Sequence, residues 1–408
     1  MGVNYMILGK DNYYSLDTHE TMLNNNVLVV GASGAGKTRS VVIPNLLLAT
    51  GSYIVSDPKG NLHRQYGSYL KKKGYEVKKL DFTDPMNSCG YNFFDYIKST
   101  QDIVKVANMF FENKGNRVDP FWDEAAQLLL QACIAYLIET SRKNDHNFSN
   151  VMKMLEMFTN AGDLEDEKAV VDIMFDELAK EKPTCYAVKT YKKFRVAANR
   201  TLRSIIISLN AKMGLFDTPE IARMTAFDSV DIPSIGDKKT ALFVVVSDTD
   251  RSMDVLANIF FTQAMNELCR HADKDCEDYR LPVPVRFILD DFATNCRINQ
   301  FPRMIASIRS REISTMLLIQ AESQLYERYN NDGKTIIGNC DTYMYMGGND
   351  VETAESVSKR CDVPLKKVLN MPVGDNIVFR RGMDPVHGKN FDLEGFLHKV
   401  KAEAGKVR

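Results

Sequence analysis

Residues 27–38, VLVVGASGAGKT, decide how the rest of the chain is read. The run Val27-Leu28-Val29-Val30 predicts a buried strand. The stretch after it, Gly31-Ala32-Ser33-Gly34-Ala35-Gly36-Lys37-Thr38, fits G-x-x-x-x-G-K-[ST] and leads into a helical pattern. Glycines at these positions let successive backbone N–H groups turn inward as an anion nest at a helix N-terminus. On this reading Gly31 to Gly36 and Arg39 surround the phosphates of a nucleotide, Lys37 reaches the β- and γ-phosphates, and Thr38 is a magnesium ligand. The order G-x-G-x-x-G of a dinucleotide-binding turn is absent. The alternative is a glycine-rich turn that holds no ligand.

A phosphate loop needs an acidic partner, and RFILDDFATN at 286–295 offers one: the apolar run Phe287-Ile288-Leu289 closes on Asp290 and Asp291. Two carboxylates at the C-terminal end of a strand suit a division of labour, with Asp290 holding magnesium and Asp291 orienting an attacking water. The alternative is a strand end that simply meets solvent. Asp57 and Asp81 also close apolar runs, but Asp57 is followed by Pro58-Lys59-Gly60, a turn carrying a cation. Asp248 and Asp250, after LFVVV, read as turn and capping residues.

Between the loop and the acidic pair lie about 250 residues, too many for a compact P-loop kinase or small GTPase, so an insertion is required. From residue 27 to about 110, short apolar runs alternate with helical stretches, the signature of a parallel sheet. From DPFWDEAAQLLLQACIAYLIET onward the strand signals vanish, and they resume at KKTALFVVVSD. The expected fold is α/β with a mostly parallel central sheet. Residues 1–115 and 206–408 form the nucleotide-binding domain in two parts, and 116–205 form an inserted all-α domain. Phe121, Trp122, Leu128 and Leu129 are expected in the helical core of that insertion.

Lys and Arg number 52 against 53 Asp and Glu, so no global charge draws the chain to nucleic acid or an anionic membrane. The eight cysteines and six histidines show no ligand spacing, which predicts a reduced, cytosolic chain without structural zinc. No apolar run is long enough to span a bilayer. Any contact with nucleic acid or an anionic membrane must come from local patches. Residues 180–203 carry eight basic side chains against Glu181 alone, interleaved with Tyr186, Tyr191 and Phe194. That mixture suits phosphates and stacked bases, and equally a solvated helix face.

The stretches NNNVLVVGASGAGKT, IVSDPKGNL, DPFWDEAAQLLLQA, FILDDFA, IRSREISTMLLIQAESQL and NCDTYMYMGGNDVETAESVSKR, in this order, resemble the cytoplasmic part of TraG/TraD-type coupling proteins of type IV secretion and conjugation. The resemblance implies a RecA-like P-loop NTPase related to the FtsK and HerA DNA pumps. It implies ATP and Mg2+ as cofactors and a homo-hexamer that delivers DNA or a relaxase–DNA complex to the secretion channel components. It also implies that Gln320 senses the γ-phosphate and that Arg309, or Arg311 two residues on, reaches a neighbouring subunit's site. The family usually has Asp-Glu where this chain has Asp290-Asp291, which leaves open an ATP-binding scaffold that scarcely hydrolyses. Family members carry N-terminal membrane helices, so a partner or a missing anchor is expected to hold this chain at the inner face of the membrane. A translocase working outside secretion is the further alternative.

Overall fold

The computed structural model describes residues 4–111, 120–159, 169–196 and 199–397. Its strands are β1 (Tyr5–Ile7), β2 (Tyr13–Ser15), β3 (Val27–Val30), β4 (Ser52–Ser56), β5 (Glu76–Asp81), β6 (Thr240–Val245), β7 (Val285–Leu289), β8 (Ile313–Ile319), β9 (Thr342–Tyr345), β10 (Asp375–Arg380) and β11 (Val386–Lys389). β1 and β2 form a small antiparallel ribbon. The others build one sheet in the order β11-β10-β9-β3-β8-β7-β4-β6-β5, parallel from β9 to β5 and antiparallel only at the β10–β11 edge.

β3 and β7 are buried at every position, and β8 at all but one. A strand covered on both faces reads as a continuous apolar run rather than an alternating one, which is why VLVV, FIL and MLLI stood out in the sequence. One face packs Val27, Val29, Met316, Leu318, Phe243 and Ile288 against Val41, Val42 and Leu46 of the helical segment that follows the phosphate loop.

The chain divides into two compact units. One runs up to Thr83 and resumes at Asp231; the other spans Asp84–Val230. The second unit is helical and wider than 116–205 on both sides. Aromatic packing explains the difference: Phe93 and Phe94, upstream, and Phe216, downstream, all meet Phe148, with Phe148 and Phe216 stacked at 4.5 Å. Hydrogen bonds from Tyr91 N to Met224 O (2.8 Å) and from Ser229 N to Gly90 O (2.9 Å) clip its two ends together. The expected 115/116 boundary itself falls outside the described residues. Leu129 is buried as expected, whereas Phe121 and Trp122 are exposed. Among the described residues no helix is long and apolar enough to cross a membrane.

The polar run before β3 has a structural task. Asn26 is 1 % exposed. Its Oδ1 accepts Thr315 N (3.0 Å) and its Nδ2 donates to Ile305 O (3.4 Å) and Asn339 O (3.1 Å), tying the entry of β3 to β8 and to the approach to β9. Asn26→Ala strands these buried backbone groups, and each unsatisfied group costs about 1–3 kcal/mol. Urea denaturation is expected to show a loss of about 2–3 kcal/mol for Asn26→Ala, and a change within about 0.5 kcal/mol for the surface control Val373→Ala. Equal midpoints for the two variants would refute the latch.

Candidate functional site

The phosphate loop leaves β3 and enters a π-helical turn, Thr38–Val42, that continues as the α-helix Ile43–Leu47. Gly34 and Gly36 adopt φ of 80° and 89°, a conformation that side-chain-bearing residues rarely tolerate. The loop is anchored from behind, where Ala32 N donates to Gly347 O at 2.8 Å. The Lys37 side chain folds back over its own loop, its Nζ donating to Gly31 O (2.6 Å) and Ala32 O (3.3 Å). Lys37 is only 8 % exposed. Burial pulls its ammonium below the usual lysine range, with Asp291 and Asp290 opposing that shift.

Across the sheet edge, Thr38 Oγ1 donates to Asp290 Oδ2 at 2.6 Å, joining residues 252 positions apart. Asp290 is buried, and burial pushes its carboxyl above the usual carboxylate range despite the Thr38 hydrogen bond. Asp291 follows in the left-handed region, φ 50°, just ahead of the short helix Phe292–Asn295, and donates its N–H to Asp290 Oδ1 at 3.2 Å. Gln320 sits at the end of β8, between β3 and β7 in the sheet, and its N–H donates to Gln324 Oε1 at 2.8 Å.

The donor set fits a nucleotide and a hard cation. A buried ammonium whose direct partners are neutral carbonyls suits an incoming polyanion. A hydroxyl and a buried carboxylate held 2.6 Å apart are the oxygen ligands that magnesium takes.

Arg309 is not at this site. It lies in the turn Ile308–Arg311 ahead of β8, about 20 Å from the phosphate loop at roughly 3.3 Å per strand residue. There its guanidinium donates to Thr18 O at 3.0 Å and lines a cavity with Arg286 and Glu312. Arg311 is held by a two-pronged pair with Asp273, at 2.7 and 2.8 Å. Arg39 is exposed and meets Glu394 at 2.5 Å. Asn390, from the same C-terminal stretch, donates to Ala35 O at 3.2 Å. HGKNFDLEG carries no motif, so neither Asn390 nor Glu394 was foreseeable from sequence, and Gly347 only as part of a quoted stretch.

Asp57 does other work. Backbone N–H groups of Asn61, Leu62 and His63 stabilise its charged form at the start of the helix Asn61–Lys72, although burial raises its carboxyl overall. Asp248 pairs with Lys59, and Asp250 accepts from Ser252 N, as turn residues do. In the helical unit, Tyr191 stacks on Phe175 at 3.8 Å and donates to Asp172, and Phe194 is buried. Neither ring is free to stack on a base, and Tyr186 donates its hydroxyl to Gln131. Lys189, Lys192, Lys193 and Arg195 remain exposed, while the Arg200 side chain lies outside the described residues.

The sequence profile of the family described as type IV secretory system conjugative DNA transfer matches residues 3–362. The chain belongs to that family. Within it, VirD4 of Rhizobium rhizogenes is 25% identical over 346 residues, covering 81% of this chain and 48% of that protein. TraG of Escherichia coli is 24% identical over 362 residues, covering 82% and 54%. The chain thus spans about half the length of the curated relatives it matches. Among solved structures, the plasmid coupling protein TrwB in complex with the ATP analogue ADPNP aligns with a TM-score of 0.66 at 15% identity, over 96% of this chain and 90% of that one. TrwB in complex with ADP and Mg2+ aligns at 0.63 and 16%, over 90% and 85%. At such identities the likeness establishes the fold alone, a mostly parallel central sheet flanked by helices as in TrwB, for this conjugative transfer family member.

Asp57→Ala is expected to destabilise the protein by about 0.5–2 kcal/mol, the usual loss on removing a helix cap. Binding of a fluorescent ATP analogue should stay within a few-fold of wild type, whereas Asp290→Ala should weaken it in the presence of magnesium. Loss of nucleotide binding in Asp57→Ala, with the fold intact by circular dichroism, would move Asp57 into the site.

Proposed function

We propose that the chain is the ATP-driven motor portion of a type IV secretion or conjugation coupling protein, delivering DNA or a relaxase–DNA complex to the secretion channel. The observation that carries the reading is the Thr38–Asp290 hydrogen bond beside the buried Lys37, which joins the two halves of an NTP site in a chain of this family. The TrwB complexes with ADPNP and with ADP and Mg2+ support the choice of nucleotide and cation.

In this reading Lys37 leaves the Gly31 and Ala32 carbonyls and turns to the β- and γ-phosphates, an exchange of neutral acceptors for charged ones. The N–H groups of residues 31–38 take the remaining phosphate oxygens. Thr38 and Asp290 would hold magnesium, which when bound would neutralise charge developing on the phosphates. Asp291 accepts a proton from, and aims, the attacking water. Gln320 contacts the γ-phosphate from β8. Arg309, remote from the site in its own chain, serves a neighbouring copy in a homo-hexamer, and a partner protein or a membrane anchor holds the assembly at the membrane.

A scaffold that binds ATP without turning it over is the second reading, and it rests on Asp291 being one methylene shorter than glutamate. DNA-stimulated ATP hydrolysis separates the two. Asp291→Asn is expected to lower the DNA-stimulated rate by about 10²–10⁴-fold, the range for loss of a positioned acid or base, and Lys37→Ala by about 10²–10³-fold, as for loss of a charge-stabilising donor. Asp291→Glu should retain or raise it. A rate indifferent to DNA and to Lys37→Ala would sink the motor reading; activity unchanged in Asp291→Asn would remove Asp291 from the chemistry.

A further inference from the structure

At the edge of the sheet opposite the phosphate loop, three elements distant in sequence converge. Asp237 ends the short helix Ser234–Asp237 just before β6, His271 lies in the last turn of the helix Asp254–Lys274, and Cys276 follows that helix. One ligand atom from each lies within 4.8 Å of the others. His271 Nε2 faces Asp237 Oδ1 at 2.9 Å, and Nδ1 faces Asp275 Oδ2 at 3.1 Å. Asp275 is itself held by Arg270 at 3.2 Å, and Arg270 is fixed by Glu267, at 2.9 and 2.7 Å.

From these contacts we propose a divalent transition-metal site, of zinc type, formed by Cys276 Sγ, His271 Nε2 and an Asp237 carboxylate oxygen. A thiolate, an imidazole and a single carboxylate suit borderline-soft ions such as Zn2+ or Co2+ and not magnesium or calcium, which take oxygen ligands. The outer contacts are those such a site needs. Asp275 takes the Nδ1–H of His271 and so orients the ring, leaving Nε2 to face an ion once it gives up the proton it shares with Asp237, and Arg270 and Glu267 hold Asp275 in place. The backbone is set as well: Asp275 N donates to His271 O at 2.9 Å, and Gly236 O accepts Val283 N at 2.8 Å, on the approach to β7. Three protein ligands leave a fourth position for water or for a partner's side chain.

Binding forms a metal–sulfur and a metal–nitrogen bond while the Cys276 thiol and the His271 Nε2 position release their protons to solvent. The ion then bridges the helix end at His271 to the helix before β6. Sequence spacing concealed the set, because Asp237 is 34 residues from His271 and Cys276 lies beyond the end of His271's helix.

The test is titration of the chelator-treated full chain with Co2+, reading thiolate-to-cobalt charge transfer and the d–d bands. One Co2+ per chain is expected, displaced by Zn2+ and unaffected by Asp290→Ala, which removes the phosphate-loop carboxylate and so excludes a cation held there. Cys276→Ser should abolish the charge-transfer band, His271→Gln should weaken binding at least tenfold, and Asp275→Asn should weaken it about 10–100-fold. A wild-type measurement guards against misfolded variants: Zn2+ but not Mg2+ should protect Cys276 from alkylation, read by peptide mass spectrometry. Absence of the band, its persistence in Cys276→Ser, or equal alkylation with and without Zn2+ overturns the proposal and leaves His271 as an imidazolium clasped between two carboxylates.

Discussion

The parallel pairing of β3 with β8 and of β8 with β7 is the constraint on which the site depends. Val30 lies opposite Ile319, and Leu289 opposite Leu317, so the loops leaving β3, β8 and β7 emerge at one edge of the sheet. The register is hard to alter. Every residue of β3 and β7 is buried, and a slip by one position would turn each side chain to the opposite face and undo both packing surfaces. Thr38 and Asp290 can therefore meet although the chain between them makes a long excursion, and Asn26, bonded to Thr315, fixes the alignment at the opposite end of the same strands.

The excursion is accommodated without disturbing that register. The chain leaves the sheet after β5 and returns at β6, and these two strands are themselves parallel neighbours. In the helical unit the aromatic cluster around Phe148 and the clips between residues 90–91 and 224–229 bring the two connecting ends close together. A long insertion closed in this way adds little to the entropy of joining its ends, since that term grows only with the logarithm of loop length.

What could be read in the sequence was what depends on local pattern. Buried parallel strands announce themselves as apolar runs, and a phosphate loop as glycines at fixed spacing, so the fold class, the loop and the Asp290–Asp291 pair were all legible. Features decided by which surfaces meet were not. Basic side chains interleaved with Tyr191 and Phe194 look like a base-stacking surface until helix packing buries the rings against Phe175 and Phe158. Phe121 and Trp122 look like core, yet their helix starts with them exposed. Asp57 and Asp290 both close apolar runs on neighbouring strands; the N–H groups of the helix beyond Asp57 set it apart from Asp290, which takes the Thr38 hydroxyl instead. Nor could any spacing rule unite Asp237, His271 and Cys276.

One contact near the loop has a wider reach. Asn390 rests on Ala35, and Glu394 on Arg39, so the stretch after β11 lies against the residues that flank Lys37. Two bodies that touch the same loop exchange free energy in both directions, and whatever one does to the affinity of the other is returned in equal measure. If filling the loop loosens Asn390 and Glu394, then a partner that draws the C-terminal stretch away makes filling easier by the same factor. The segment of Asn390 and Glu394 would then act as a reporter of the loop's state and, by necessity, as a handle upon it.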